Sequence, residues 1–235
     1  MEANILVGGP KQFWPANFEQ LATKHAQDFI WVGADQGAVA LCELGISPNL
    51  AIGDFDSASS RDQFLVQVRA QKIIAARSEK DYTDTQLAVL MTEKYFPRVD
   101  KINIYGATGG RLDHLLANIF LVLGPEFEHL ATKVRLFDCQ NSVSFYLPGE
   151  YQLLKEAQMT YLAFIPLTAV KNLSLFNTKY RLAKAEFDRP ISLASNEFME
   201  EKAHFAFSEG VVCVIQSSIY YQYSISLFSV VIIAC

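Results

Sequence analysis

The sequence predicts an α/β protein: an N-terminal, mostly parallel sheet covered by helices, followed by a C-terminal all-β sandwich or barrel. Three observations lead there. Over residues 1–133, short apolar runs alternate with segments of helical spacing. From about residue 134 the runs become β-prone and closely spaced, and helical periodicity weakens. The chain has 235 residues and is 51% hydrophobic, enough core for one large domain or two modest ones.

The elements follow in order. Residues 5–7 are a short apolar strand stopped by Gly8-Gly9-Pro10. Phe18, Leu21 and Ala22 share one helical face within residues 17–26, and residues 29–32 form a second buried strand leading into Gly33-Ala34-Asp35-Gln36-Gly37. A short helix over 38–44 is stopped by Gly45 and Pro48. A strand over 50–52 then runs into Gly53-Asp54-Phe55-Asp56-Ser57. The pattern repeats with a helix at 61–70, a strand at 72–75, a helix at 84–95 and a strand at 101–105. After Gly106-Ala107-Thr108-Gly109-Gly110 a helix covers roughly 112–123. Strand–helix alternation of this kind makes a Rossmann-like sheet buried on both faces. In the second half, strands are expected at 134–138, 142–147, 152–154, 161–166, 170–176, 204–207 and 211–216. The division falls at 1–133 and 134–235.

Charge narrows the function. With 20 basic and 25 acidic residues the formal charge is −5, which gives no general attraction to nucleic acid or anionic lipid. The four cysteines, at 42, 139, 213 and 235, have no zinc-like spacing; the first three sit among apolar neighbours and are expected as buried free thiols in a reducing cytosol. Met1-Glu2-Ala3-Asn4 lacks the basic start and long apolar stretch of a secretion signal, so none is expected. The apolar stretch at 226–235 is far short of the ~20 residues that span a bilayer, so it is expected as a buried or edge strand.

The chemistry concentrates in acidic turns. In α/β sheets ligands collect where strands end and helices begin. Asp35 follows the second predicted strand, Asp54 and Asp56 the third, Asp81 and Asp84 the fourth, and Asp113 the fifth. Carboxylates gathered on one rim call for a cation, and Mg²⁺ takes one or two carboxylates together with water and phosphate oxygens. In an extended segment Asp54 and Asp56 would face one side and Phe55 the core. Each residue also has a plain structural reading. Thr83 and Gln86 fit a capping box, Asp54 and Asp56 suit an Asx-turn, and Asp35 suits any turn. The glycine run at 106–110 offers backbone N–H groups near a helix start, and Arg111 adds a cation able to grip phosphate. Neither a P-loop nor a dinucleotide fingerprint is present.

In order, these motifs resemble the thiamine pyrophosphokinase family. The similarity runs through Gly33–Gly37 (with Gln36 where glycine is usual), Leu44–Asn49 into Gly53–Ser57, Glu79–Thr85, Gly106–His114 and Ser195-Asn196-Glu197. Phe176-Asn177-Thr178 departs from it, since the family has a glycine shortly before the Lys179-Tyr180 pair. The resemblance implies pyrophosphoryl transfer from ATP to thiamine, and a homodimer with active sites between subunits. It implies Asp54, Asp56 and Asp81 on Mg²⁺, directly or through water, with Asp84 in support. Thr83, Gly109, Gly110 and Arg111 are expected on ATP, and Ser195 and Asn196 on the thiamine pyrimidine. Asp35 or Asp113 would take the hydroxyl proton or meet the cationic thiazolium.

Overall fold

The protein is described from a computed structural model, covering residues 1–24, 26–56, 58–75 and 82–219. Its first half contains β1 (Glu2–Leu6), α1 (Phe18–Lys24), β2 (Ile30–Ala34), α2 (Gln36–Glu43), β3 (Leu50–Gly53), α3 (Ser60–Arg69), β4 (Ile73–Ala75), α4 (Asp84–Tyr95), β5 (Lys101–Tyr105) and α5 (Leu112–Phe120). The second half contains β6 (Val134–Phe137), β7 (Asn141–Tyr146), β8 (Gly149–Leu154), β9 (Tyr161–Pro166), β10 (Val170–Phe176), β11 (Leu182–Phe187), β12 (Leu193–Glu197), β13 (Lys202–Phe207) and β14 (Val212–Ser217).

Ten strands form one sheet in the order β12-β9-β14-β7-β6-β5-β1-β2-β3-β4, and β11-β10-β13-β8 form a second. The pairs from β4 through β3, β2, β1 and β5 to β6 are parallel, whereas β6–β7 and every pair beyond it are antiparallel. Val134, the first residue of the β-prone half, therefore pairs with Ile102 inside the parallel sheet. Alternation sorts the core. Ile5, Val32 and Ile104 face α4, while Leu6, Trp31 and Tyr105 face α1 and α2. A separate core between the small sheet and the antiparallel strands is built on Phe164, Phe205 and Val214. The second half is thus a sandwich.

Four elements differ from expectation. β1 starts at Glu2 rather than residue 5, because Asn103 Nδ2 donates to Asn4 Oδ1 (3.0 Å) and Glu2 Oε2 (3.2 Å), a cross-strand bond that lets a polar residue sit fully buried. β11 and β12 carry no long apolar run because both are edge strands, where polar and charged residues are the rule. The last α5 turn tightens into a 3₁₀ turn over Leu121–Leu123. Cys42 and Cys213 are buried free thiols as expected, but Cys139 is exposed because it sits in the turn between β6 and β7. The stretch at 226–235 and Cys235 lie outside the described residues. Among the described residues, no helix is long and apolar enough to cross a membrane.

Candidate active site

β1 through β4 step outward in one direction, and the chain then returns to lay β5 on the other side of β1. That reversal opens a crevice at the carboxyl ends of β1 and β5, the place where open α/β sheets bind ligands. Two glycine turns meet there. Val7 N–H donates to Tyr105 C=O (2.9 Å) and Gly9 N–H to Gly106 C=O (2.8 Å). The approach is so close that a Cβ on Gly9 would lie 2.0 Å from the Gly106 oxygen. Gly106 and Gly109 adopt φ of +72° and +77°, and the Phe13 ring fills the space where a Gly109 side chain would be. The two turns are held from three further directions. Asn118 Nδ2, buried in α5, donates to Ala107 C=O (3.0 Å), Trp14 Nε1 donates to Gly9 C=O (3.1 Å), and Thr108 Oγ1 donates to Asp138 Oδ2 (2.8 Å).

The crevice encloses about 360 Å³, within the range of small-molecule sites, and Asp35, Thr83, Asp84, Gly110, Arg111 and His114 lie on its wall. The N-terminal ends of α2, α4 and α5 reach it at Asp35–Gln36, Thr83–Thr85 and Arg111. Three helix starts and an arginine offer N–H donors and a cation suited to phosphate, beside the carboxylates of Asp35 and Asp84. A larger cleft of about 490 Å³ lies by Arg135 and Glu156, but its polar groups serve one another: Arg135 donates to Glu156 (2.7 Å) and to Ser144 (3.2 Å).

The acidic residues occupy distinct positions. Asp35 begins α2 at φ 51°, its N–H donating to Ile52 C=O (2.7 Å), with Oδ1 buried beside Gly53. Asp84 opens α4 behind Thr83, whose capping box with Gln86 is complete. Asp54 and Asp56 are exposed on the next loop outward, not on the crevice wall. The segment carrying them is not extended. β3 ends at Gly53, Phe55 takes φ 56° and packs under α2 and α3, and Asp56 N–H donates to Asp54 Oδ1 (3.1 Å). The two carboxylates are joined by an Asx-turn rather than by strand alternation. Asp81 lies outside the described residues.

Asp113 is spoken for. Arg111 Nε and Nη2 both donate to its carboxylate, the first at 3.1 Å. The hydrogen bonds from Arg111 hold Asp113 below the usual carboxylate range, and Asp113 raises Arg111 in return. Among the described residues no three Asp, Glu, His or Cys side chains converge as a ready-made metal cage. Mg²⁺ needs none: two hard carboxylates on one turn beside a crevice suited to phosphate match its habit of keeping water and phosphate ligands.

Ser195 and Asn196 stand apart from the crevice. β12 carries a bulge between Leu193 and Asn196, with Ser195 exposed at φ 61°. Asn196 is buried and turns inward: Oδ1 accepts from the N–H of Tyr180 and Nδ2 donates to its carbonyl, leaving the Tyr180 ring exposed. Asn177, at the departure noted in the sequence, adopts φ 56°, a left-handed conformation that glycine adopts freely and asparagine tolerates best among the others. The residues that sequence reasoning passed over are Gly9, Asn118 and Asp138. Gly8-Gly9 directly after the first strand was a visible signal once the switch point is known; the other two act across long sequence separations.

Comparison with known proteins fits this geometry. Residues 21–134 match the family described as Thiamin pyrophosphokinase, catalytic domain, and residues 150–212 match Thiamin pyrophosphokinase, vitamin B1 binding domain. The thiamine pyrophosphokinase of Bacillus subtilis is 35% identical over 217 residues, spanning 92% of this chain and 98% of that one. The chain belongs to the thiamine pyrophosphokinase family. A solved thiamin pyrophosphokinase family protein from Enterococcus faecalis superposes with a TM-score of 0.85 at 41% identity, over 94% of this chain and all of that one. The B. subtilis crystal structure gives 0.79 at 32% identity, with the same coverage. Both parts of such an enzyme, catalytic and vitamin B1 binding, are present in one chain.

Proposed function

We propose that the protein transfers the pyrophosphoryl group of ATP, as its magnesium complex, to the hydroxyl of thiamine, giving thiamine diphosphate and AMP. The observation that carries this reading is the phosphate-suited crevice lying one loop away from the Asp54–Asp56 turn. Such a transfer asks chiefly for alignment and charge neutralisation. The glycine turns, with Gly109 and Gly110, the starts of α2, α4 and α5, Thr83 and Arg111 hold the triphosphate. Asp54, Asp56 and Asp81 hold Mg²⁺ directly or through water, and Asp84 supports them. When bound, the ion supplies charge neutralisation across the phosphates. The thiamine oxygen attacks the β-phosphorus, the bond to the α-phosphate oxygen breaks, and AMP leaves. Asp113, held ionised by Arg111, suits the cationic thiazolium; Asp35 then takes the hydroxyl proton. Mixing protein, thiamine, ATP and Mg²⁺ should yield AMP and thiamine diphosphate in equal amounts. Formation of ADP, turnover only with another alcohol, or tight thiamine binding without turnover overturns the reading, the last in favour of a sensor.

We further propose a homodimer in which residues 1–133 of one copy and 134–235 of the other share a site. β12 lies five strand spacings from β5, about 24 Å at the ordinary inter-strand distance, so Ser195 of the same chain is remote from the crevice. A second copy can deliver it. Leu112, Leu116 and Phe120 form an apolar stripe on α5, 74%, 52% and 48% exposed, starting directly beside Arg111 on the crevice wall. The expectation is that Leu116→Glu with Phe120→Glu gives a monomer by light scattering and cuts activity by at least about tenfold, since charges buried at an apolar interface are strongly disfavoured. A dimer of full activity in that variant removes this face from the interface. The free thiols support a reducing, cytosolic setting.

A further inference from the structure

The turn between β6 and β7 reaches across to the glycine turn of the crevice, and its aspartate divides its two oxygens between separate tasks. Asp138 Oδ1 accepts from the N–H groups of Gln140 and Asn141, both at 2.7 Å, which builds the turn. Asp138 Oδ2 accepts from Thr108 Oγ1 at 2.8 Å, thirty residues earlier in the chain and on the crevice wall. Asn141 Nδ2 donates to both oxygens (3.0 and 3.1 Å), and Asn141 Oδ1 accepts from Ser217 Oγ (2.7 Å) at the end of β14. The same turn is fixed to the Phe13 segment, because Cys139 N–H donates to Phe13 C=O (2.8 Å), and the Phe13 ring covers Gly109.

We infer that Asp138 is a positioning residue: through Thr108 it aims the N–H groups of the glycine turn at the nucleotide's phosphates, with Asn141 and Ser217 holding it from behind. The backbone N–H groups of the turn use only Oδ1, and Oδ2 is shared between Asn141 Nδ2 and Thr108. Oδ2 is left to restrain a glycine-rich segment that, with φ of +72° at Gly106 and +77° at Gly109, has little conformational preference of its own. A charge-assisted bond to a carboxylate is stronger than a neutral one, which suits it to this restraint. The inference rests on the ATP-dependent reading above.

The test uses the full-length enzyme, varying MgATP at saturating thiamine and thiamine at saturating MgATP, and compares wild type, Thr108→Val, Thr108→Ser, Asp138→Asn and the double variant Thr108→Val/Asp138→Asn. In Asp138→Asn the amide oxygen can still accept from Gln140 and Asn141, while an uncharged amide N–H group replaces Oδ2 opposite Thr108 and exchanges the charge-assisted bond for a weaker one; Thr108→Val removes that bond and leaves the turn's own bonds in place, so both are expected to fold. Each should raise KM for MgATP about tenfold, the scale of a lost hydrogen bond to a charged group, with KM for thiamine unchanged. Thr108→Ser should restore wild-type behaviour, and the double variant should be no worse than Thr108→Val alone, since both substitutions act on the same contact. Multiplying effects in the double variant, an unmoved KM for MgATP, or a parallel rise in KM for thiamine overturns the inference. Absence of AMP formation by the wild type defeats the ATP-dependent reading instead. The same cycle is then read from calorimetric binding of Mg²⁺–ADP, where additive losses or no losses overturn the positioning role.

Discussion

Asp54→Asn is expected to lower kcat by at least about a hundredfold while leaving the fold intact, the scale of removing a group that stabilises transition-state charge. The side chain is exposed, and its one described bond is the acceptance of the Asp56 N–H. An asparagine oxygen can accept that bond, so the Asx-turn survives and only the charge is lost. Asp56→Asn should behave alike, and both should need more Mg²⁺ to reach half-maximal rate. Measurement of kcat across a magnesium titration, beside the melting midpoint, separates charge from folding. Near wild-type turnover in either variant would remove that residue from the metal shell.

Gly9→Ala should damage both stability and turnover. The added carbon would sit 2.0 Å from the Gly106 oxygen, 2.7 Å from its carbonyl carbon and 3.0 Å from the Thr108 oxygen, all backbone atoms that cannot rotate away. The two turns must part and the Gly9–Gly106 hydrogen bond stretch. Overpacking of this kind costs about 1–3 kcal/mol, so the melting midpoint should fall by roughly 2–10 °C for a chain of this size. Misplacing the phosphate-facing N–H groups by about 1 Å is expected to cost about a hundredfold in kcat/KM for MgATP. Gly8→Ala is the control for stability, because its new carbon would meet only the Gln36 Cβ at 3.6 Å, and its midpoint should not move. Equal behaviour of the two variants would show that the close approach of the turns is unimportant.

What was legible in the sequence follows from what burial does to composition. β2, β3 and β5 are buried on both faces, so they read as apolar runs, and the acidic turns could be placed at their ends. β11 and β12 are edges with one polar face, and their composition hid them. At Asp54 the Asx-turn was one of two readings the sequence offered, and the extended one fails because a left-handed Phe55 breaks the alternation it assumes. Asn196, singled out by motif, has its amide bonded to the Tyr180 backbone, a pairing sixteen residues apart that only the fold creates. Asp138 was invisible for the same reason.

The junction at β6 has a consequence for how the halves can be exchanged. β6 pairs in parallel with β5 along Ile102–Tyr105 and antiparallel with β7 along Ser142–Ser144, so one strand is shared by both architectures. A hybrid enzyme spliced at residues 133–134 would import a foreign strand into the donor's parallel sheet and ask its register to match a β5 it never met. Grafting is expected to succeed only when β6 travels with β5 and the cut falls later, in the turn to β7. Because backbone hydrogen bonds cross that strand on both sides, it also denies the molecule a hinge there.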